Sequence, residues 1–206
     1  MKTYVALYRR FILPRQKVVI PAILGVVLSL VLVETVVRYR RYRAERAFQS
    51  FADARDDPAK LAALAETHAG TELGARAAFR RIELAVRQER LDEAESLLRD
   101  FVDRDQPGGF RSPARVQLGH VLAKQGKYAE AERCFAAAAA EAQNPALVAE
   151  AMLNAGRCAW RRGDAREAIR WFEATVANSE EDSFYRAQAE AALLAARRGR
   201  PGPGSR

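Results

Sequence analysis

Residues able to do chemistry are few in this 206-residue chain, and they do not cluster. There are two histidines: His68 stands beside a turn signal, and His120 has no Cys, Asp or Glu three or four residues away. That spacing is what lets two helical side chains share a metal or a proton on one face. No HExxH, phosphate-binding glycine loop or nucleophile elbow occurs, and Gly108-Gly109 reads as a turn. Cys134 and Cys158 make no CxxC pair and are expected as free buried thiols rather than a bridge. Glu93, Glu130 and Glu167 share a fixed step, which puts one on the second helix of each of three repeated helix pairs, on the solvated side. No enzyme, metal or cofactor is expected from this set.

Charge divides the chain into parts. Residues 1–37 net +4, residues 38–55 net +4, residues 56–196 net −4 and residues 197–206 net +4. The basic total of +8 therefore belongs to the two ends, and the body is mildly acidic. That argues against nucleic acid as the partner of the body. An RNA-associated membrane protein using Arg38–Arg46 remains an outlying reading.

The basic N-terminal segment is taken as residues 1–17, and its first thirteen residues suit a headgroup interface before Pro14 breaks them. From Val18 to Val37 runs VVIPAILGVVLSLVLVETVV, twenty residues with one acid. As a helix it covers about 30 Å, the thickness of a hydrocarbon core. It is longer than the apolar core of a cleavable leader and leads into RYRRYRAER, so an uncleaved transmembrane helix over 18–37 is expected. Five bases precede it and five follow closely, so the positive-inside count ties. A short charged tail is costly to translocate, which favours a cytoplasmic N-terminus and an extracytoplasmic body. Residues 38–57 read as an Arg-rich helix, with Arg38, Arg40, Arg41 and Arg43 facing lipid headgroups.

The body repeats. Ala94, Ala131 and Ala168 are 37 apart, as are Leu98, Phe135 and Phe172, and Arg87, Lys124 and Arg161. Gly119 and Gly156 share the step, as do Gly126 and Gly163. Each copy reads as two helices joined by a tight turn, with Gly126 or Gly163 in the left-handed conformation that ends the first helix. Tyr128 opens the second helix of its copy, and small residues at Gly119, Ala131 and Ala138 let the paired helices approach. Asp57-Pro58, Ser112-Pro113 and Asn144-Pro145 each place a capping side chain before a proline that starts a helix. The expected fold is all-α: a single transmembrane helix, then about three stacked helix pairs over residues 58–197 with a polar capping helix, and a flexible tail from 198.

Leu118, Gly119, Gly126, Tyr128, Ala131, Phe135 and Ala138 resemble the tetratricopeptide repeat. The third copy follows through Gly156, Gly163, Ala168 and Phe172, with Ala165 where the turn aromatic belongs. The first departs, having Ile82 and Glu89 at the glycine positions and Leu91, Ala94 and Leu98 in place. The whole layout is similar to the membrane-anchored repeat proteins that serve as ancillary subunits of the SecYEG translocon of the bacterial inner membrane. The resemblance implies a concave groove lined by the first helices, and with it protein partners. Its positions carry over onto Phe79, Glu83, Val86 and Arg87, then Val116, His120 and Lys124, then Leu153, Arg157, Trp160 and Arg161. Glu83 and His120 stand where the family's carboxylate clamp has asparagines, so that clamp is not expected. Two function classes follow: an anchored scaffold or chaperone-type interaction module, or a membrane tether that binds its own copies and no client.

Overall fold

The structure is a computed structural model and describes residues 16–104 and 107–199. The basic segment up to residue 15 and the tail from residue 200 lie outside it. Among the described residues every α-helix and turn belongs to an all-helical chain without strands. The order is α1 (Gln16–Ala54), α2 (Pro58–Thr67), α3 (Glu72–Arg87), α4 (Leu91–Asp103), a 3-10 turn (Pro107–Gly109), α5 (Arg111–Lys124), α6 (Tyr128–Glu141), α7 (Pro145–Arg161), α8 (Ala165–Ala177) and α9 (Phe184–Arg197). The chain divides into two units at Ala52/Asp53.

In the first unit the expected span and the Arg-rich segment are one continuous helix, α1, which passes through Pro21. Among the described residues no helix is long and apolar enough to cross a membrane. The side chains of Val18, Val19, Ile20 and Ile23, which the expected span needs, are not among those described. From Leu24 to Val37 the helix is exposed on every side. Its polar side chains there bond within the helix: Ser29 donates to the Gly25 carbonyl at 2.8 Å and Thr35 to the Val31 carbonyl at 2.7 Å, while Glu34 pairs with Arg38 at 2.7 Å. Beyond them Arg43 and Arg46 lie over the rings of Tyr39 and Tyr42, at 5.8 and 4.8 Å from the centroids.

The second unit is a run of antiparallel helix pairs, α3/α4, α5/α6 and α7/α8, with α2 packed on α3 and α9 packed on α8 and α7. Two helices begin as their sequences dictate. Asp57 accepts hydrogen bonds from the amides of Ala59 and Lys60, and Asn144 from that of Ala146, each just before a first-turn proline. The expected cap at Ser112 is corrected: α5 already starts at Arg111, behind Phe110, with no side-chain cap. Packing sets that entry instead, since Phe110 meets Phe79 at 5.8 Å and Arg111 donates to the Val102 carbonyl at 3.2 Å.

The three within-pair turns are the same turn. The amides of Arg90, Lys127 and Asp164 reach back to the carbonyls of Ala85, Leu122 and Ala159 at 2.9–3.0 Å, a Schellman closure repeated every 37 residues. Gly126 and Gly163 take the left-handed conformation there, at φ +78° and +84°. In the first turn Glu89 is forced into it at φ 55°, so the closure is kept at the expense of a Cβ clash.

Packing between paired helices rests on one contact. A β-carbon on Gly119 would lie 2.7 Å from the Phe135 ring, and one on Gly156 would lie 2.6 Å from the Phe172 ring. Each ring fills the notch left by the glycine opposite and is itself buried to 1% or less. The corresponding residues of α3/α4 are Ile82 and Leu98, both buried in the same core. Bulk has moved from the second helix to the first, and the first copy departs from the repeat pattern by a compensated exchange. Ala94, Ala131 and Ala168 are fully buried at the step they share.

The closing helix departs from expectation. α9 buries Ala189 and Ala196 against the stack but leaves Phe184 and Leu194 exposed, so its outer face is not the polar cap expected.

The compensated exchange is testable. Gly119→Ala should destabilise the chain by about 1–3 kcal/mol through overpacking, and Gly119→Ile by more. Gly119→Ile combined with Phe135→Leu transplants the α3/α4 solution and should recover most of the loss in thermal melts. A double variant as unstable as the sum of its parts would show that the two residues do not exchange bulk.

Candidate functional site

The first helices of the second and third pairs enter the stack in one register. On α5, Gln117, His120 and Lys124 sit at i, i+3 and i+7, and 37 residues on Asn154, Arg157 and Arg161 sit the same way on α7. The three-and-four spacing puts each set on one helix face. With Ala123 of α5, Tyr128 and Phe135 of α6, and Cys158 of α7 they enclose a cleft of about 580 Å³.

The cleft is basic and braced. Arg161 lies over the Tyr128 ring, 5.8 Å from its centroid, and donates to the Tyr128 hydroxyl at 3.4 Å. Arg157 donates to Gln188 Oε1 of α9 at 2.5 Å and to Asn154 Oδ1 at 3.2 Å. Burial pushes the Arg157 guanidinium below its ordinary range. His120 Nε2 lies 3.3 Å from Glu150 Oε1, and the Tyr185 hydroxyl donates to Glu150 Oε2 at 3.4 Å. The hydrogen bond from His120 holds the Glu150 carboxyl below the usual range, and partial burial opposes it.

Among the described residues no ion pair engages Lys124, Arg157 or Arg161. Several bases elsewhere in the stack are matched: Arg99 pairs with Glu95 at 2.8 Å and Glu130 at 2.7 Å, Lys127 with Glu95 at 2.8 Å, and Arg162 with Glu132 at 2.8 Å. The Lys127 ammonium is the main reason that the Glu95 carboxyl is held at about 2. Glu93 likewise serves Arg90 and Arg81, and Glu167 serves Arg170, so the glutamate column is a set of surface ion pairs. Both cysteines are free, and burial pushes the Cys158 thiol up to about 12, so at the floor of the cleft it stays protonated and unreactive.

The sequence-derived groove divides by column. Phe79, Val116 and Leu153 share one step, and this column points inward. Val116 and Leu153 are 4% and 1% exposed and line no groove, while Phe79 packs on Phe101 at 5.9 Å. They stand one residue before Arg80, Gln117 and Asn154, and one residue turns a helix by about 100°. Val86 packs on the same core, and Trp160 meets Phe172 edge-on at 6.0 Å beside the second core cluster, away from the cleft lining. Glu83 pairs with Arg80 at 3.0 Å, which also takes Asp56 at 3.0 Å, so that stretch of the face carries no free base. Arg87 is exposed and lies outside the cleft. The cleft thus gathers His120, Lys124, Arg157 and Arg161 from the expected set. The sequence reading missed Gln117 and Asn154, which the 37-residue step links, and Tyr128, which was read as a packing residue alone.

Glu150 gives this geometry a titratable signature. Because its folded pKa is lowered, the stability that it contributes is complete above the ordinary glutamate pKa and is lost as pH falls through the depressed value. His120→Ala should therefore move the Glu150 titration midpoint upward, read by carboxyl NMR, and an unmoved midpoint would show that His120 does not hold the charge.

Residues 111–181 match the family model of the tetratricopeptide repeat. No curated protein matches the chain. That match spans the two helix pairs that build the cleft, α5/α6 and α7/α8, and supports reading them as tetratricopeptide repeats, a protein–protein interaction fold.

Proposed function

We propose that the chain is a membrane-anchored interaction module whose cleft receives an acidic segment of a partner protein. The observation that carries this reading is that Lys124, Arg157 and Arg161 converge on one cleft without a carboxylate partner among the described residues. Glu150, the nearby acid, is engaged by His120 and Tyr185. Three uncompensated cations around a partly apolar floor attract an anionic peptide from a distance and hold it by direct hydrogen bonds. Asn154, Gln117 and Tyr128 add neutral donors that fix its backbone.

The anchor reading rests on α1. Leu24–Val37 is apolar on every side, and its Ser29, Glu34 and Thr35 satisfy themselves within the helix, as a hydrocarbon surrounding demands. Arg38, Arg40, Arg41 and Arg43 then meet anionic headgroups, with Tyr39 and Tyr42 beside them at the depth that amphipathic rings prefer. On this reading the N-terminus is cytoplasmic and the repeats lie outside the cytoplasm. The chain then serves as a scaffold or chaperone-type subunit of an envelope complex such as the SecYEG translocon. What supports that last step is the order of its parts: short basic tail, one anchor, Arg-rich helix, small repeat stack.

The cleft is tested with a labelled acidic decapeptide and its lysine counterpart, by fluorescence anisotropy across a salt series. The acidic peptide should bind in preference. Arg157→Glu with Arg161→Glu should weaken it by about tenfold or more, roughly 1.4 kcal/mol, and flatten the salt dependence. Equal binding of both peptides, or full retention by the double variant, would remove the cleft from function.

The anchor is tested separately. Alkaline carbonate should leave the chain in the membrane pellet, while Leu28→Arg with Leu30→Arg should release it to the supernatant. Protease added outside the cytoplasmic membrane should digest the repeats, and digestion only from the cytoplasmic side would reverse the orientation.

A further inference from the structure

Within the second unit, Phe184 and Leu194 are the large apolar side chains that stand exposed among the described residues, at 68% and 52%. Both belong to α9. With Ala187, Ala191 and Arg198 they occupy positions 184, 187, 191, 194 and 198, alternating steps of three and four that draw one stripe along the helix. All five are exposed, while Ala189 and Ala196 face the stack from the opposite side. Alternating three-and-four steps are the seam of a two-stranded coil, where large and small side chains of facing helices interlock. The 37-residue step from Asn154, Arg157 and Arg161 leads to Ala191, Leu194 and Arg198. At α9 the polar register of the cleft has thus become mostly apolar, and this face does not prolong a charged peptide groove.

We infer that the outer face of α9 is a self-association surface, on which a second copy of the chain docks its own α9 antiparallel. Charge decides the occupant and its direction. α9 is entered through Glu180, Glu181 and Asp182, all exposed and without ion pairs among the described residues, and it ends in Arg197, which Glu173 engages at 2.5 Å, and in exposed Arg198, which has no ion pair among the described residues. Laid antiparallel about a two-fold axis midway between Ala187 and Ala191, each acidic entry stands beside the partner's Arg198. Phe184 then meets the partner's Leu194, and Ala187 meets the partner's Ala191, where two small side chains let the axes approach closely. A parallel pairing would instead set the three acids against three acids, and arginines against arginines. Glu190, beside the axis, is already neutralised by Arg186 at 3.1 Å. A single two-helix seam falls below the roughly 1,200 Å² of stable interfaces, so the association is weak and reversible.

The test uses the full chain in mild detergent, with Cys134→Ser and Cys158→Ala in the cross-linking arm. Two differently tagged chains, one Ala187→Cys and one Ala191→Cys, are mixed and oxidised. The mixed disulfide should exceed either self-disulfide severalfold, because only the antiparallel seam sets 187 against 191. Self-disulfides that match the mixed product would overturn the antiparallel arrangement, and no cross-link at all would overturn the surface. A second arm keeps the native thiols and follows sedimentation. Arg198→Glu and Glu180→Arg should each weaken self-association by about tenfold, and the two together should restore it. A double variant no better than the singles sinks the inference, as does partner-peptide binding that is lost with Leu194→Glu while sedimentation is unchanged, which would make α9 a wall of the cleft.

Discussion

The rings of Phe135 and Phe172 occupy the space where residues 119 and 156 would carry a β-carbon, and the remainder of the stack is arranged around that overlap. A helix pair can close to this distance only where one partner presents no side chain, so the contact fixes the rotation of the first helix about its own axis. Once Gly119 faces α6, Leu118 and Leu122 are committed to the interior, and His120, edge-on to the same Phe135 ring at 5.0 Å, enters the cleft with Gln117 and Lys124. The cleft lining therefore follows from the packing choice that fixes this helix's rotation. The first pair carries Ile82 and Leu98 at these positions, both buried in the core, and keeps the backbone turn without the glycines.

Electrostatics then separates two surfaces of one body. Second-helix acids, among them Glu95, Glu130 and Glu132, are engaged by arginines and lysines of neighbouring pairs. These links join successive repeats at their outer edge, and each is worth little by itself because the cationic partners remain substantially exposed. Their larger consequence is distribution. A body that nets −4 sets several of its second-helix acids against bases, and three bases of α5 and α7 are left facing a common cleft. The field in the cleft is thus a property of the arrangement, and it would be invisible to a count of charges.

Much of the fold was legible in the sequence because a repeat states each structural requirement more than once. The turn glycines, the buried alanines and the aromatic column are each demanded by a single contact, so their spacing identifies the pairs directly. The cleft was legible in part. His120, Lys124, Arg157 and Arg161 stood in columns whose polar character signals an outer face, whereas Val116 and Leu153 differed from Gln117 and Asn154 by one residue. A helical wheel moves by about 100° over that step, and only packing decides which of two neighbours turns inward. Trp160 shows the same limit in reverse: its size suggests an anchor for a partner, but Phe172 lies within reach and takes its edge. Ser112 carried the local signature of a cap, and the tertiary contacts of Phe110 and Arg111 overrode it.

A repeat stack must also end, and its last helix inherits a register that no further pair will use. In α9 the positions corresponding to Asn154 and Arg157 hold Ala191 and Leu194, while the position corresponding to Arg161 keeps its base as Arg198. Gln188 still reaches back to brace Arg157, so α9 supports the cleft with one edge. Its outward stripe is apolar in the middle, with Glu180–Asp182 before its first end and Arg198 at its last. A solubilising cap requires none of these features, since any polar residue would serve on an exposed face. Apolar matter concentrated on one line, with a charge pattern that is complementary to its own reversal, is what the proposed pairing of two copies through α9 draws on.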